Sequence, residues 1–424
     1  MRLKENWRRS TLGELCSIEI GGTPSRSNVD FWDADKVTSN IWVSIKDLNT
    51  GCVTSTAEQI SDLGVCNSNV KLQSEGTVLL SFKLSIGRVA RAGKPLYTNE
   101  AIAGLRSEQL RHDFLYQGLQ YWDLLKGVDQ AIKGATLNKS KLRDIEIYYP
   151  IRKSEQSKIA EVLSTVDQAI EQTEALIAKQ QRIKTGLMHD LLTRGIDEHG
   201  NLRSEETHEF KDSPLGQIPV EWDVKPVKDH ITFITDYRGK TPPYAKDGIP
   251  VISAENVGSG VIKSTTKYVT RDTYQAWSTR GFPEPGDTVF TTEAPAGEVA
   301  TIPEDQTYLL TRRVIALRPD ETELRKKYLY WTMRQAQAAG YWNKLISGTT
   351  APRLRKPEIL DYTFPLPSPA EQDVICNVLE SQWTSIKTLE SQLIKLQSLK
   401  TGLMQDLLTG EVPVTPLLEL AETA

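Results

Sequence analysis

Thr241-Pro242-Pro243-Tyr244 is the stretch of this sequence nearest to a catalytic motif. Enzymes that methylate exocyclic amino groups place Asn or Asp before Pro-Pro-Tyr or Pro-Pro-Phe, because a carboxamide or carboxylate must accept the hydrogens of the attacked amine. Thr241 supplies only a hydroxyl, and no FxGxG-like glycine turn is present to hold S-adenosylmethionine. The tetrapeptide therefore reads as a proline-rich turn. No GxxxxGK[ST] loop is present for a nucleotide triphosphate, and no carboxylate-and-lysine constellation suggests a nuclease. The four cysteines form no CxxC pair and histidine is scarce, which argues against a zinc site or a disulfide framework. The chain is expected to carry no catalytic residue, metal or cofactor of its own.

Binding chemistry is a better match. Reading a DNA duplex takes side chains with paired donors or acceptors on projecting loops, while phosphates take Lys, Arg, hydroxyls and backbone amides. In the first half, GGTPSRSN offers Thr23, Ser25, Arg26 and Asn28; Lys83, Ser85 and Arg88 flank a turn at Gly87; and Lys133, Thr136, Asn138 and Lys139 form a third polar stretch. The second half offers Tyr237, Arg238, Lys240 and Thr241, then Thr292, then Thr349, Thr350, Arg353 and Arg355. Glu293, beside Thr292, is set aside as a surface charge. Any one of these residues suits a solvated turn equally well, and the stretches as groups carry the inference.

A net charge of −4 looks wrong for such a partner until it is divided along the chain. Residues 1–150 hold 19 basic against 17 acidic side chains and residues 216–370 hold 20 against 18. Residues 151–215 hold 9 against 12, and residues 371–424 hold 3 against 8. The acidity lies outside the two long blocks, which permits a positive face on each.

The acidic segments repeat one another. KTGLMHDLLT at 184–193 returns as KTGLMQDLLT at 400–409, and the match extends without gaps from Glu155 and Glu371. In the second copy Ile386, Leu389, Leu393, Leu396, Leu403 and Leu407 follow the heptad spacing of a coiled-coil seam, interrupted by Lys400. Seam positions of the first copy are Ile170, Thr173, Ile177, Gln180, Lys184, Leu187 and Leu191, with polar residues among them. Ser368, Pro369 and Glu371 predict a capping box, and Gly195 and Gly410 predict helix stops. Each helix of about 39 residues would span roughly 58 Å at 1.5 Å per residue. Gly186 and Gly402 each cost about 1 kcal/mol inside a helix, which suggests close backbone approach between the helices or to a partner.

The doubling reaches into the blocks before each helix. Trp7 pairs with Trp222, GTVLLSFKLSIGRVA with GDTVFTTEAPAGEVA, and AIKGATLNKSKL with LISGTTAPRLRK. Short β-rich runs broken by Gly and Pro, with one helical stretch late in each block, predict an α+β fold. The expected plan is two tandem mixed α/β domains at 1–150 and 212–366. Spacer helices at 151–196 and 367–410 form an intramolecular antiparallel coiled coil with pseudo-two-fold symmetry, joined by a linker at 197–211 and followed by a tail at 411–424. No apolar run approaches the roughly 18 residues of a membrane span and the N-terminus lacks a secretory core, so the cytoplasm is the expected compartment.

On these features the chain resembles the specificity subunit of type I restriction-modification enzymes over residues 7 to 410. The resemblance rests on the tandem Trp blocks, the LGQIPVEW phrase at 215–222, the YPIRKSEQ and FPLPSPAEQ helix starts and, above all, the repeated helix ends. It implies that each block is a target recognition domain reading one half of an asymmetric DNA sequence, and that the helices set the half-site spacing. Two methyltransferase subunits would dock and carry S-adenosylmethionine, and restriction and translocation subunits with ATP and Mg would join them. A coiled-coil adaptor that binds only protein, and a self-sufficient adenine methyltransferase, are the competing expectations.

Overall fold

The structure is a computed structural model that describes residues 6–49, 51–83, 85–124, 137–237, 241–348 and 352–422. Lys133, Thr136, Arg238, Lys240, Thr349 and Thr350 lie outside the described residues. Two compact units form: Met1–Ala175 with Ser391–Ala424, and Leu176–Glu390. Each long helix is divided between the two units, and each end of it is packed into an α+β core.

In the first unit a five-stranded sheet runs in the order Ser17–Ile20, Ile102–Arg106, Val78–Ser81, Val89–Ala92, Cys52–Val53. Val78–Ser81 is buried throughout, as a short unbroken apolar run should be when both faces are covered. A second sheet orders Glu58–Gln59, Ile41–Val43, Leu96–Thr98 and Leu72–Gln73. Helix α1 (His112–Tyr121) buries Phe114, Leu115 and Leu119, and strands Trp7–Thr11 and Glu146–Pro150 pair beside it.

The second unit repeats this plan. Its main sheet runs Ile231–Asp236, Val314–Pro319, Thr288–Thr291, Val299–Thr301, and a three-stranded sheet orders Tyr268–Val269, Ile249–Ile252 and Leu309–Leu310. The counterpart of α1 follows Arg325, and strands Asp223–Pro226 and Thr363–Leu366 pair in the same way. The likeness extends to single hydrogen bonds. Gly87 N–H donates to Ser81 O at 3.0 Å and Gly297 N–H to Thr291 O at 2.9 Å; Asn99 N–H reaches Val43 O and Thr311 N–H reaches Ile252 O, both at 3.0 Å.

Helix α2 (Lys153–Thr193) has 41 residues and is continuous. With the helix after Arg325 taken as α3 (Lys326–Ala338), the second long helix is α4 (Pro369–Leu408), 40 residues. In the first unit the start of α2 meets the end of α4: Ile159, Ala160 and Leu163 share a core with Met404, Leu407 and Leu408. In the second unit the end of α2 meets the start of α4, with Met188, Leu191 and Leu192 in one core with Ile375, Cys376 and Leu379. The helices are therefore antiparallel within each unit. Burial of a leucine or methionine in such a seam stabilises by about 1.5–3 kcal/mol.

All the seam positions are buried or half-buried: Ile170, Ile177, Leu187 and Leu191 on α2, and Ile386, Leu389, Leu393, Leu396, Leu403 and Leu407 on α4. Thr173, Gln180, Lys184 and Lys400 are half-buried among them. The polar members find partners. Gln382 Nε2 donates to Gln180 Oε1 at 2.6 Å, Lys400 pairs with Asp167 at 2.7 Å, and Lys184 lies 4.3 Å from the ring centre of Trp383. Asp167 accepts a second hydrogen bond, from Gln117 Nε2 at 2.7 Å.

Two sequence expectations are corrected. A Cβ added to Gly186 or Gly402 would meet nothing within 4 Å, so close approach of the two helices is not why those glycines are there. The capping box at Ser368 is half made: Glu371 N–H donates to Ser368 Oγ at 3.3 Å, but the Glu371 carboxylate turns to other donors, a guanidinium and an indole among them. The charge-assisted bond from Arg203 is stronger than one from the Ser368 backbone N–H would be. Gly195 and Gly410 end the helices in the left-handed region, at φ +65° and +71°. Among the described residues no helix is long and apolar enough to cross a membrane.

Candidate nucleic-acid interface

In the first unit the GGTPSRSN turn is anchored from below, because Trp42 Nε1 donates to Gly22 O at 3.0 Å. A Cβ on Gly21 would lie 2.1 Å from Thr98 O, so only glycine lets the turn pass that strand. Arg26 lies over Trp32 at 3.7 Å and Trp42 at 4.9 Å from their ring centres, and its Nη2 reaches Glu58 Oε2 at 3.1 Å. A guanidinium stacked and paired in this way is held in one orientation while about half its surface stays in solvent. Ser25 is exposed, its hydroxyl 2.8 Å from that of Ser27. Asn28 is spent as a cap, accepting from Asp30 N–H at 3.1 Å.

Thr23 donates to Glu100, a residue the sequence did not single out. The Glu100 carboxyl is held below its ordinary range, first by that hydrogen bond and then by the charges of Lys83 and Arg26, against the opposing effect of burial. Of the candidates, Thr23 binds this carboxylate directly, while Lys83 and Arg26 act on it through their charges. Arg88 lies nearby in sequence but reaches elsewhere, to Asn49 Oδ1 at 2.8 Å and Ile45 O at 3.3 Å. Ser85 is exposed, and its carbonyl accepts the Ser81 hydroxyl. Asn138 caps the short helix Lys139–Arg143 by accepting from Lys141 N–H at 2.8 Å, with Lys139 exposed beside it.

In the second unit two of the candidates, Tyr237 and Thr241, line an open cavity of about 550 Å³. Tyr244, Trp277, Thr279, Thr311, Arg312 and Arg313 also line it. Tyr237 is part of the wall and not a projecting contact: its ring is 6% exposed and its hydroxyl donates to Gly281 O at 2.5 Å. Burial accordingly pushes its phenol above the ordinary range. Lys267 pairs with Glu255 at the rim, and its ammonium lies 5.8 Å from the Tyr244 ring centre. Glu293, discounted from the sequence, pairs with Arg313 at 3.4 Å and bridges to Arg353 in a β-like contact. Leu354 N–H donates to Thr292 O at 2.9 Å, which brings the Thr292 and Arg353 stretches together. Arg355 is occupied at a helix start by Glu358, at 3.0 Å from its Nε. Arg312 is exposed and has no ion pair or hydrogen bond among the described residues. It is the most available guanidinium of the cavity.

Sequence reading missed Glu100, Arg312, Arg313, Lys267 and Trp277. The strand framework shows why the first two matter. Ile102 N–H donates to Asn99 O and Val314 N–H donates to Thr311 O, so Glu100 and Arg312 occupy the same place on the repeated scaffold. One unit presents a carboxylate there and the other a guanidinium. Stacking aromatics, arginines and hydroxyls around an open concavity suit a polyanion with base edges and π-faces. Among the described residues no group of three or more His, Cys, Asp or Glu is placed to hold a metal.

A duplicated α+β scaffold with divergent polar loops, tied to two long helices, defines a class of modular recognition protein. The profile of the type I restriction modification DNA specificity domain matches residues 4–180 and 219–397. The chain belongs to this family, and it is a DNA sequence-recognition subunit of a type I restriction-modification system, directing chemistry that other subunits perform. The type I restriction enzyme MjaVIII specificity subunit of Methanocaldococcus jannaschii is 24% identical over 362 residues, 83% of each chain. The MjaIX specificity subunit of the same organism is 22% identical over 435 residues, 98% of this chain and 96% of its own. The crystal structure of the S subunit from M. genitalium shares the fold with a TM-score of 0.62 at 16% identity, covering 96% of this chain and 98% of that one.

Proposed function

We propose that each unit reads one half of an asymmetric, two-part DNA sequence, with the uninterrupted helices α2 and α4 fixing the gap between the halves. The carrying observation is the pairing of Glu100 with Arg312: two scaffolds alike down to single hydrogen bonds present opposite charges at one position. Identical heads would read a symmetric sequence; heads that differ in this way read different half-sites. In the second unit Arg312 and Arg313 face guanine edges or phosphates from the cavity wall, while Trp277 and Tyr244 supply flat apolar contacts. In the first, Arg26, Lys83 and Ser25 form the outward surface, and Glu100 accepts from an exocyclic amine such as that of cytosine.

The proposal includes two methyltransferase subunits docked on the helices, acting on adenine in opposite strands with S-adenosylmethionine held by those subunits. Restriction and translocation subunits, with ATP and Mg, complete the larger assembly. Compartment follows from that role, since the DNA it guards is cytoplasmic. The experiment is single-molecule methylome sequencing of cells carrying this chain with its methyltransferase, which should return one bipartite motif with unlike halves. A palindromic motif would overturn the reading. An adaptor without DNA specificity would instead leave the methylome unpatterned and bind partners independently of salt.

A further inference from the structure

The two helix joints differ in what reaches the glutamate of the first helical turn. At the second, Glu371 is saturated: Oε1 accepts Ile196 N–H at 3.1 Å, Oε2 accepts Trp222 Nε1 at 3.0 Å, and the Arg203 guanidinium spans both oxygens, with Nη2 at 3.3 Å from Oε2. Gly195 makes room for this, since a Cβ there would fall 2.3 Å from both Glu371 Oε1 and Trp222 Cζ2.

The first joint keeps the glutamate, the tryptophan and the glycine, but among the described residues none of the three donors has a counterpart on its carboxylate: the backbone N–H after Gly410, that of Glu411, donates to Thr409 Oγ1 at 3.3 Å instead. Glu155 is the repeat counterpart of Glu371, Trp7 of Trp222, and Gly410 of Gly195. Gly410 again has a left-handed backbone, and a Cβ on it would strike Trp7 at 2.6 Å. Glu155 is only 5% exposed, yet no hydrogen bond or ion pair reaches its carboxylate among the described residues. Beside it lies a cavity of about 120 Å³, lined by Asn6, Trp7, Glu155, Ile159, Gly410 and Val414 among others. A carboxylate with so little exposure and no partner is costly, and its place in the first turn of α2 offsets only part of that. Arg203 comes from the segment that follows Gly195; the segment that follows Gly410, EVPVTPLLELAETA, holds no arginine or lysine.

From this we infer that the Glu155 cavity is a binding site for a guanidinium group, taking an arginine side chain as Glu371 takes Arg203. The planar cation donates to both Glu155 oxygens and stacks against the Trp7 indole, while Asn6 closes the rim. The arginine comes from another protein chain.

The probe is N-acetyl-L-arginine amide, titrated into the full chain while the Trp7 indole N–H resonance is followed, assigned with Trp7→Phe. The expected result is a saturable shift in the millimolar range, lost in Glu155→Gln and absent with the lysine amide. Glu155→Asp, which keeps the charge but withdraws it by one methylene, should weaken binding, and it preserves the test if the Gln variant fails to fold. Saturation in the unaltered chain assigns the site to an arginine of another chain. Absence of a shift, or an equal shift in Glu155→Gln, would overturn the inference.

Discussion

Gln372 Oε1 accepts the backbone N–H of Arg325 at 2.8 Å, and its Nε2 donates to Glu323 O at 2.8 Å and Pro367 O at 2.9 Å. Gln156 does the same in the other unit, to Arg111 N–H, Gln109 O and Pro150 O. Each glutamine is fully buried and joins the first turn of a long helix to the α+β core of its own unit. The recurring Glu-Gln at the two helix starts is this pair of clamps.

Replacing Gln372 with Ala leaves one buried N–H and two carbonyls without partners, so the loss should be about 2–4 kcal/mol, since each unsatisfied group costs roughly 1–3 kcal/mol less any relaxation. Thermal unfolding measures the loss, and hydrogen exchange should place new opening in 323–325. A change below about 0.5 kcal/mol, the scale of an ordinary surface substitution, would show that the clamp is incidental.

Lys184 gives a pH signature. Burial, followed by the nearby charges of Arg334 and Lys387, pulls its ammonium down from 10.5 to about 8. Between those values the unfolded chain holds a proton that the folded chain has released, so this residue makes stability rise with pH from about 8 towards 10.5. Lys184→Met should therefore raise the melting temperature at pH 7, with the gain shrinking by pH 10. Melting curves of the two chains across that range test the sign, and a gain that grows with pH would contradict it.

Gly186→Ala and Gly402→Ala should each stabilise the isolated chain by about 0.5–1 kcal/mol, because both glycines are exposed in helix interiors and an added methyl meets nothing. Denaturant titration reads this directly. Weaker assembly with the methyltransferase in the same variants would identify a partner backbone as the reason the glycines are kept.

Arg312→Ala and Arg313→Ala should relax one half-site and leave the other unchanged. A lost bidentate contact costs about 1–3 kcal/mol at one base pair. A lost phosphate contact instead weakens all sequences alike and lowers the salt slope by about one. Competition binding with singly substituted duplexes separates the two.

Much of this architecture was legible in the residues. The heptads at 170–191 and 386–407 placed the seam, since apolar spacing determines which helix face is buried. The paired turns marked the doubled scaffold because Gly and Pro constrain the backbone locally. What escaped depended on distant encounters. Glu371 looked like half of a capping box, and only the fold brings Arg203 and Trp222 to it. Arg312 and Arg313 sit between apolar strands in LLTRRVIAL, where one sequence gives no sign that a cavity opens beside them. Tyr237 follows a strand that turns it inward, so a polar-looking turn supplied a core residue.

The helices as rulers can be probed separately. Four residues inserted after both Thr173 and Leu389 add about one turn to each helix and should lengthen the gap while both half-sites persist. An unchanged gap would remove the spacing role.

The central claim, two independent readers on one scaffold, is tested most directly by exchanging residues 1–150 for the corresponding block of another specificity subunit and sequencing the methylome. The account predicts a new sequence in one half-site with the other half and the gap retained. Alteration of both halves would contradict it.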